Sequence, residues 1–144
     1  MSGKALNLLG LMRKANAVMI GETDTGAAVR GQSAKLVLLA SDASDNARSR
    51  AKGFVYGRNI PLITVPFTKE EISDRVGKAG CSMAAICDIG FANAFMQELC
   101  EVDNEKFSGT AELVGTAYEK HRRLKQECRT HELNRKNGKR RKNQ

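Results

Sequence analysis

The side chains that most often carry out catalysis are scarce in this sequence and stand in no catalytic spacing. Both histidines, His121 and His131, fall in the strongly basic C-terminal part, so residues 1–119 contain no imidazole for general acid–base chemistry. The sequence contains no Gly-x-Ser-x-Gly, His-Glu-x-x-His or Walker motif. Two carboxylate pairs stand at predicted helix starts, where capping explains them: Asp42 with Asp45, and Glu70 with Glu71. We therefore predict no catalytic residue and no enzymatic activity.

The cysteines do not form a metal-binding or redox motif. Cys81, Cys87, Cys100 and Cys128 are irregularly spaced and include no Cys-x-x-Cys pair. Cys128 and His131, even with His121 upstream, supply too few ligands for a structural zinc site. We predict no metal, no cofactor and no small-molecule substrate. Because no secretion signal and no apolar run of about 20 residues is present, we expect reduced thiols, a cytoplasmic location and no membrane partner.

The charge of the chain is concentrated in its last 25 residues. Residues 1–119 hold 13 basic and 14 acidic side chains, a sum of −1, and residues 120–144 hold 11 basic and 2 acidic, a sum of +9, giving the total of +8. A polycationic tail indicates nucleic acid or an anionic surface as partner, and the alternative is a solvated tail that aids solubility. The predicted phosphate-binding cations are Lys120, Arg122, Arg123, Lys125, Arg129, Arg135, Lys136, Lys139, Arg140, Arg141 and Lys142.

Helices and strands alternate along the first hundred residues. Apolar runs predict strands over 17–21, 34–41, 60–65 and 82–87, of which 34–41 and 60–65 are expected to be buried. Periodic or capped segments predict helices over 5–15, 22–31, 45–57, 68–77 and 88–100, with a capping box formed by Thr68 and Glu71 and a cap at Asp88. This order predicts an α/β fold, a three-layer α-β-α sandwich around a small mixed sheet, over residues 1–100. Residues 101–144 are expected to form a linker over 101–110, a helix over 111–134 and a disordered basic end, a helical or disordered extension in all.

One predicted helix start follows a strand directly and offers binding chemistry. The free N–H groups of a helix N-terminus bind phosphates and polar base edges. In Gly21-Glu22-Thr23-Asp24, the two carboxylates are also able to accept hydrogen bonds from base amino groups. The alternative is structural, because acidic residues in a first helical turn commonly stabilise the helix.

Several segments together resemble one known family: Leu9-Gly10-Leu11-Met12-Arg13-Lys14-Ala15, Gly21-Glu22, the run from Ala34 to Ser44, Ile60-Pro61, Gly77-Lys78 and Asp88-x-Gly90-Phe91-Ala92. Their order and spacing are similar to those of the kink-turn-binding ribosomal-protein superfamily, the family of the archaeal protein L-seven-Ae, and within it to the small bacterial YlxQ-type proteins. The resemblance covers roughly residues 4–96. It implies the same three-layer sandwich and makes residues 1–100 the RNA-binding domain.

The resemblance also implies where RNA binds. In the family, the helix after the glycine approaches the sheared G·A pairs of a kink-turn, a position held here by Gly21 and the start of the 22–31 helix. A loop before the last strand covers an extruded nucleotide, and here that loop comprises Lys78, Ala79, Gly80, Cys81 and Ser82. Among the body cations, Lys14, Arg30 and Lys35 are further candidates, and the alternative is that they are ordinary surface charges. Recognition by shape and splayed bases is general for structured RNA.

The sequence departs from the family pattern at four positions. Thr23 replaces the family's guanine-contacting asparagine, Asp24 a glutamate, and Ala17 and Ala27 replace lysines common in relatives. Fewer cations weaken phosphate contacts, which dominate affinity and its salt dependence. Two functions follow. Either the chain is an RNA-binding protein of the ribosome or translation, in which the tail binds phosphates, or it is a protein-interaction module that no longer binds kink-turns. The first function predicts that affinity falls steeply with salt and that most of this salt dependence disappears on truncation after Tyr118.

Overall fold

The apolar runs of the sequence form a small sheet, and the amphipathic segments form helices on both of its faces. The computed structural model describes residues 3–79 and 81–142, with side chains as far as residue 130. Within these residues the strands are β1 (Val18–Ile20), β2 (Leu36–Leu39), β3 (Leu62–Thr64) and β4 (Met83–Ile86). The helices are α1 (Gly3–Lys14), α2 (Glu22–Arg30), α3 (Asp45–Val55), α4 (Lys69–Val76), α5 (Ile89–Val102) and α6 (Asn104–Lys142).

The four strands form a mixed sheet in the order β1-β4-β2-β3. Strand β4 is antiparallel to both β1 and β2, whereas β2 and β3 are parallel. The central strands β2 and β4 are buried at all four positions, which accounts for their continuous apolar sequences. Strand β3 lies at the edge of the sheet and is shorter than the buried strand predicted over 60–65; within it Ile63 is buried, whereas Leu62 and Thr64 are half-buried.

Helices cover both faces of the sheet, as the predicted α-β-α sandwich requires. Leu36, Leu38 and Ile86 point into the larger core, which α1, α4, α5 and the first turns of α6 complete. The alternate residues Val37 and Ala85 pack on the other face, against α2 and α3. The period-two alternation of the strands thus assigns one row of side chains to each helical layer, and the predicted fold class is confirmed.

The start signals read from the sequence act as predicted. Thr68 accepts a hydrogen bond from the Glu71 backbone at 3.2 Å, and the Glu71 carboxylate accepts one from the Thr68 backbone at 3.1 Å, forming a capping box. Asp88 caps α5 by accepting a bond from the Phe91 N–H at 3.1 Å. These caps fix the chain direction immediately after β3 and β4.

The linker predicted over residues 101–110 is replaced by a one-residue corner between two helices. Helix α5 ends at Val102, and the Asp103 carboxylate accepts a hydrogen bond from the Lys106 N–H at 3.2 Å, which caps the start of α6. Phe107 and Val114 of α6 are buried in the larger core with α5. The polar composition of the segment concealed Phe107, the residue that attaches α6 to the body.

Beyond its docked turns, α6 continues as a projecting basic helix. Every residue from Glu119 to Thr130 is exposed, and the helix runs to Lys142, so the disorder predicted from residue 134 was wrong as far as Lys142. Lys, Arg, Glu and Gln are good helix formers, which favours continuation of the helix. We call residues 119–142 the arm, and at 1.5 Å per residue its length is about 36 Å. Neither α6 nor any other helix in the described residues is apolar enough to cross a membrane.

Candidate nucleic-acid interface

At the end of the sheet where β1 finishes and β4 begins, the two predicted RNA-binding segments lie together. Strand β1 ends beside the start of β4, where Ile20 is paired with Ala84 and the Gly21 N–H donates to the Met83 carbonyl at 3.0 Å. The start of α2 therefore lies next to the loop that precedes β4. We call the segments Gly21–Asp24 and Lys78–Ser82 the Gly21 edge, although Gly80 lies outside the described residues.

Lys78 connects the two segments of the Gly21 edge. Its Nζ donates to the Ile20 carbonyl at 3.1 Å and lies 3.3 Å from the Asp24 carboxylate. Both side chains of this pair are about half exposed, so the pair itself contributes little stability. It does hold the ammonium group over the start of α2, where it is available to a ligand.

The other acidic side chain of the α2 first turn also has a cationic partner. Glu22 forms an ion pair with Arg50 of α3, and Thr23 is exposed beside it. Both carboxylates that the sequence offered to base amino groups are thus engaged within the protein. A base that hydrogen-bonds to either carboxylate has to share it with Arg50 or Lys78, a cost the sequence did not reveal.

The backbone at Gly21 starts a helix whose first N–H groups have no acceptor within the helix. Gly21 has φ 98° and ψ 166°, a conformation that essentially only glycine adopts. Its carbonyl accepts the Thr25 N–H at 2.9 Å, which begins the helix and leaves the preceding first-turn N–H groups without intrahelical acceptors. These groups, together with the Thr23 hydroxyl, are hydrogen-bond donors for phosphate or base atoms.

Cys81 anchors the loop before β4 in the core and does not lie on the surface of the loop. Cys81 is 1% exposed and packs in the larger core, with its Sγ against the Lys78 carbonyl. Ala79 is exposed, and Ser82 is half-buried with its carbonyl accepting the Ala40 N–H. The thiol of Cys81 therefore faces inward and is not available to an extruded nucleotide, whereas Ala79 is the exposed residue among the described part of this loop.

Arg30 and Lys35 lie at the opposite end of the strands, where β4 finishes and β2 begins. Lys35 precedes β2, and its N–H donates to Ile86 at the far end of β4. Arg30 ends α2, about 13 Å along the helix axis from its start. Ala17 is also at this end, where its carbonyl accepts the Cys87 N–H. The missing lysine at position 17 therefore removes no charge from the Gly21 edge.

A cation that the sequence did not single out belongs with Lys35. Arg58 donates to the Val29 carbonyl near the end of α2 at 3.2 Å and lines a cleft of about 540 Å³ together with Lys35, Pro61, Ile89, Leu113 and Ala117. We call Lys14, Arg30, Lys35 and Arg58 the Lys35 edge. No sequence pattern indicated Arg58, because it follows α3 and reaches this edge only through the packing of α3 against α2.

Residues 3–96 match the ribosomal protein L7Ae/L30e/S12e/Gadd45 family. The chain belongs to this family. It is similar to the RNA-binding protein YlxQ of Enterococcus faecium, with 36% identity over 89 residues that cover 62% of this chain and 84% of the relative. YlxQ of Bacillus subtilis is 33% identical over 92 residues, covering 64% and 91% of the two chains. The resemblance read from the sequence is confirmed.

Two solved structures share the fold. A protein of unknown function from Bacillus halodurans has a TM-score of 0.61 at 26% identity, covering 67% of this chain and 96% of its own. A Giardia lamblia 15.5 kD RNA binding protein has a TM-score of 0.53 at 17% identity and shows the fold alone, over 69% and 84% of the chains. The family is one of ribosomal proteins, and the two YlxQ relatives are RNA-binding proteins. The prediction of a non-enzymatic protein is therefore confirmed.

The family match ends at residue 96, so α6 and its arm are additions to the family domain. The described cations of the arm are all exposed, namely Lys120, Arg122, Arg123, Lys125 and Arg129. Arg122 lies 3.8 Å from the Glu119 carboxylate one turn earlier. The side chains of the other predicted tail residues, Arg135, Lys136, Lys139, Arg140, Arg141 and Lys142, lie outside those described.

Burial weakens two of the thiols as nucleophiles. Burial raises the pKa of Cys87, and the Ser33 hydroxyl and the Lys35 charge only partly oppose this increase. Burial also raises the pKa of Cys100. Both groups are therefore protonated at neutral pH. Across the residues that the structure describes, no group of His, Cys, Asp and Glu is arranged to hold a metal ion.

Proposed function

We propose that this protein binds structured RNA in the translation apparatus and recognises a kink-turn or similarly bent RNA through the Gly21 edge. The observation that carries the proposal is the pairing of Gly21 with Met83, which places a helix start beside the loop before β4. The family of ribosomal proteins and the two relatives named as RNA-binding proteins support RNA as the ligand. An association with ribosomes implies a cytoplasmic location.

The chemistry of the Gly21 edge suits RNA recognition by shape. Exposed first-turn N–H groups and the Thr23 hydroxyl provide donors, and Lys78 provides one positioned charge. Ala79 gives a small apolar surface beside them. Because both acidic side chains are already paired with cations, repulsion of phosphates is reduced. The site is able to read a bent backbone and splayed bases with few phosphate contacts.

We assign most of the phosphate contacts to the arm. Its five described cations are exposed on one continuous helix, and cations that replace counterions on RNA give steeply salt-dependent affinity. Each phosphate contact adds roughly 0.7–0.9 to the slope of log affinity against log salt concentration. Replacing Arg123 and Lys125 with glutamine is therefore expected to reduce that slope by about 1.4–1.8.

The test compares two RNAs with one protein. A labelled kink-turn RNA and a straight duplex of equal length are titrated with the full chain across a salt series. We expect tighter binding of the kinked RNA at every salt concentration, and a Lys78→Gln variant is expected to lose that preference. The Lys106→Gln variant, which removes an exposed lysine of α6 outside the Gly21 edge, is the charge-matched control. Equal affinity for both RNAs would refute recognition by the Gly21 edge.

A second candidate function is a protein-interaction module, favoured by one specific feature. Leu113 is 65% exposed and lies in the cleft beside Lys35, where an unpartnered leucine suits a protein ligand. If this function holds, a defined protein partner is retained from lysate after RNase treatment and is lost with Leu113→Gln. Recovery of RNA-dependent partners alone would remove its support.

A further inference from the structure

The Gly21 edge and the arm lie at opposite ends of the body. Helix α6 packs antiparallel to α5, because Gly115 lies against Asn93 and Tyr118 lies against Gly90. Gly90 is in the first turn of α5, directly after the end of β4, and this end is the Lys35 edge. The arm therefore leaves the body beside Lys35. The four-residue strand β2 alone spans about 13 Å between the two edges.

The two edges of the body differ in their excess of charge. Five acidic side chains stand in the first turns of α2, α3 and α4, which begin at the Gly21 edge: Glu22, Asp24, Asp45, Glu70 and Glu71. Basic side chains end α1 and α2 at the other edge, where Arg13, Lys14 and Arg30 join Lys35 and Arg58. Arg50, Lys69 and Lys78 also stand at the Gly21 edge, and Asp88 stands at the other, so the excess of cations at the Lys35 edge is a difference in number and not a complete separation.

The cationic edge and the arm form one continuous surface. The cleft that contains Lys35 and Arg58 is also lined by Leu113 and Ala117 of α6, one turn before the arm begins. From there the arm extends about 36 Å, roughly the length of one turn of a nucleic-acid duplex. A phosphate backbone that lies along the arm therefore meets the body cations at Lys35 and not Lys78.

We propose that the Lys35 edge and the arm form a second RNA-binding surface, so that one molecule holds two RNA segments at once. The segment at the Gly21 edge is kinked, and the segment along the arm is a straight helical region bound through its phosphates without sequence preference. This inference rests on the proposed function of the Gly21 edge. In this arrangement the protein connects two RNA helices, or two parts of one folded RNA, and does not bind a single RNA segment alone.

Native mass spectrometry of the full chain tests the bridge directly. The protein is mixed with a kink-turn RNA that has short stems and with a straight duplex of different mass. We expect a complex containing one protein and both RNAs. If each RNA instead displaces the other from the protein, a single surface binds both RNAs and the inference is overturned.

Matched variants assign each RNA to its surface. Arg123→Gln with Lys125→Gln is expected to weaken binding of the straight duplex about tenfold at moderate salt, with retention of the kinked RNA. Lys4→Gln with Lys106→Gln removes the same charge from exposed positions in neither surface and is expected to leave the ternary complex intact. Equal losses of duplex in both variants would indicate a general charge effect and contradict the assignment.

The two proposals fail in distinguishable ways. If the protein alone does not prefer the kinked RNA over the straight duplex, the function of the Gly21 edge is wrong and the bridge fails with it. If the preference is present but the ternary complex is absent, only the bridge is refuted. Lys78→Gln separates them further, because it is expected to release the kinked RNA while the duplex stays bound to the arm.

Discussion

Substitution of Gly21 by alanine tests the backbone conformation on which the candidate interface depends. Gly21 has φ 98° and ψ 166°, and a Cβ at this position would have no heavy atom within 4 Å. Steric clash with the surroundings therefore contributes nothing, and the whole cost is local backbone strain. Such a conformation costs a non-glycine residue about 1–3 kcal/mol. Alanine recovers about 0.4–1 kcal/mol by restricting the unfolded chain, which leaves a net loss of about 1–2 kcal/mol.

A second glycine provides the control with the opposite sign. Gly53 lies in α3, and a Cβ there would also meet nothing within 4 Å. Because its backbone is helical, Gly53→Ala is expected to stabilise the protein by about 0.5–1 kcal/mol. The two variants differ in backbone conformation and not in available space, so their difference isolates the strain at Gly21.

Urea unfolding and thermal melting measure both variants, and RNA titration measures the functional consequence. A loss of about 1–2 kcal/mol corresponds to a decrease in melting temperature of roughly 2–8 °C for a domain of this size. Relief of the strain moves the first turn of α2, so Gly21→Ala is also expected to lose the preference for kinked RNA. If Gly21→Ala is as stable as the unmodified protein while Gly53→Ala gains stability, the reasoning about this backbone is wrong.

Three further substitutions or measurements test the surroundings of the interface. Thr25 is fully buried, and among the described residues its hydroxyl has no hydrogen-bond partner, so Thr25→Val is expected to raise the unfolding free energy by about 1 kcal/mol. If urea unfolding instead gives a lower unfolding free energy, the hydroxyl has a hydrogen-bond partner and the prediction is wrong. A Cβ on Gly26 would lie 2.9 Å from the Phe54 ring, so Gly26→Ala is expected to cost about 1–3 kcal/mol, and Phe54→Leu is expected to relieve it in a double-mutant cycle. Exposed Cys128 is expected to react first with iodoacetamide at neutral pH, whereas burial and a raised pKa slow Cys87; mass spectrometry of the labelled peptides would contradict this if Cys87 reacted first.

The elements that the sequence predicted correctly carry local signals of their own. Thr68 and Glu71 form the predicted capping box, and the apolar run that contains Leu36 and Leu39 forms the predicted central strand. Apolar runs and caps are properties of neighbouring residues, so they are readable without tertiary structure. The corner at Asp103 had no such signal, because the burial of Phe107 depends on α5 and the rest of the core.

The candidate site was readable only in part, for a related reason. The resemblance pointed to Gly21 and to the loop at Lys78, and the sheet brings them together. Lys35 stood in the same predicted set because its charge was visible, but its position at the other end of β4 was not. Arg58 carried no signal, since its place beside Lys35 results from the packing of two helices. Residue type indicates chemistry, while the pairing of strands decides which residues share a surface.

The polarity of the body follows from the fold and the helix dipole together. Strands β1, β2 and β3 run in the same direction, so the helices that follow them all begin at the Gly21 edge. Acidic side chains favour helix starts and basic side chains favour helix ends, which places five carboxylates at the Gly21 edge and the cations that end α1 and α2 at the Lys35 edge. The carboxylates at the Gly21 edge therefore weaken its attraction for phosphates, and the RNA recognition that we propose there relies on backbone donors and shape. The basic helix beyond the family domain lies at the opposite edge, so it adds phosphate attraction to the protein without altering the surface that we propose recognises the kink.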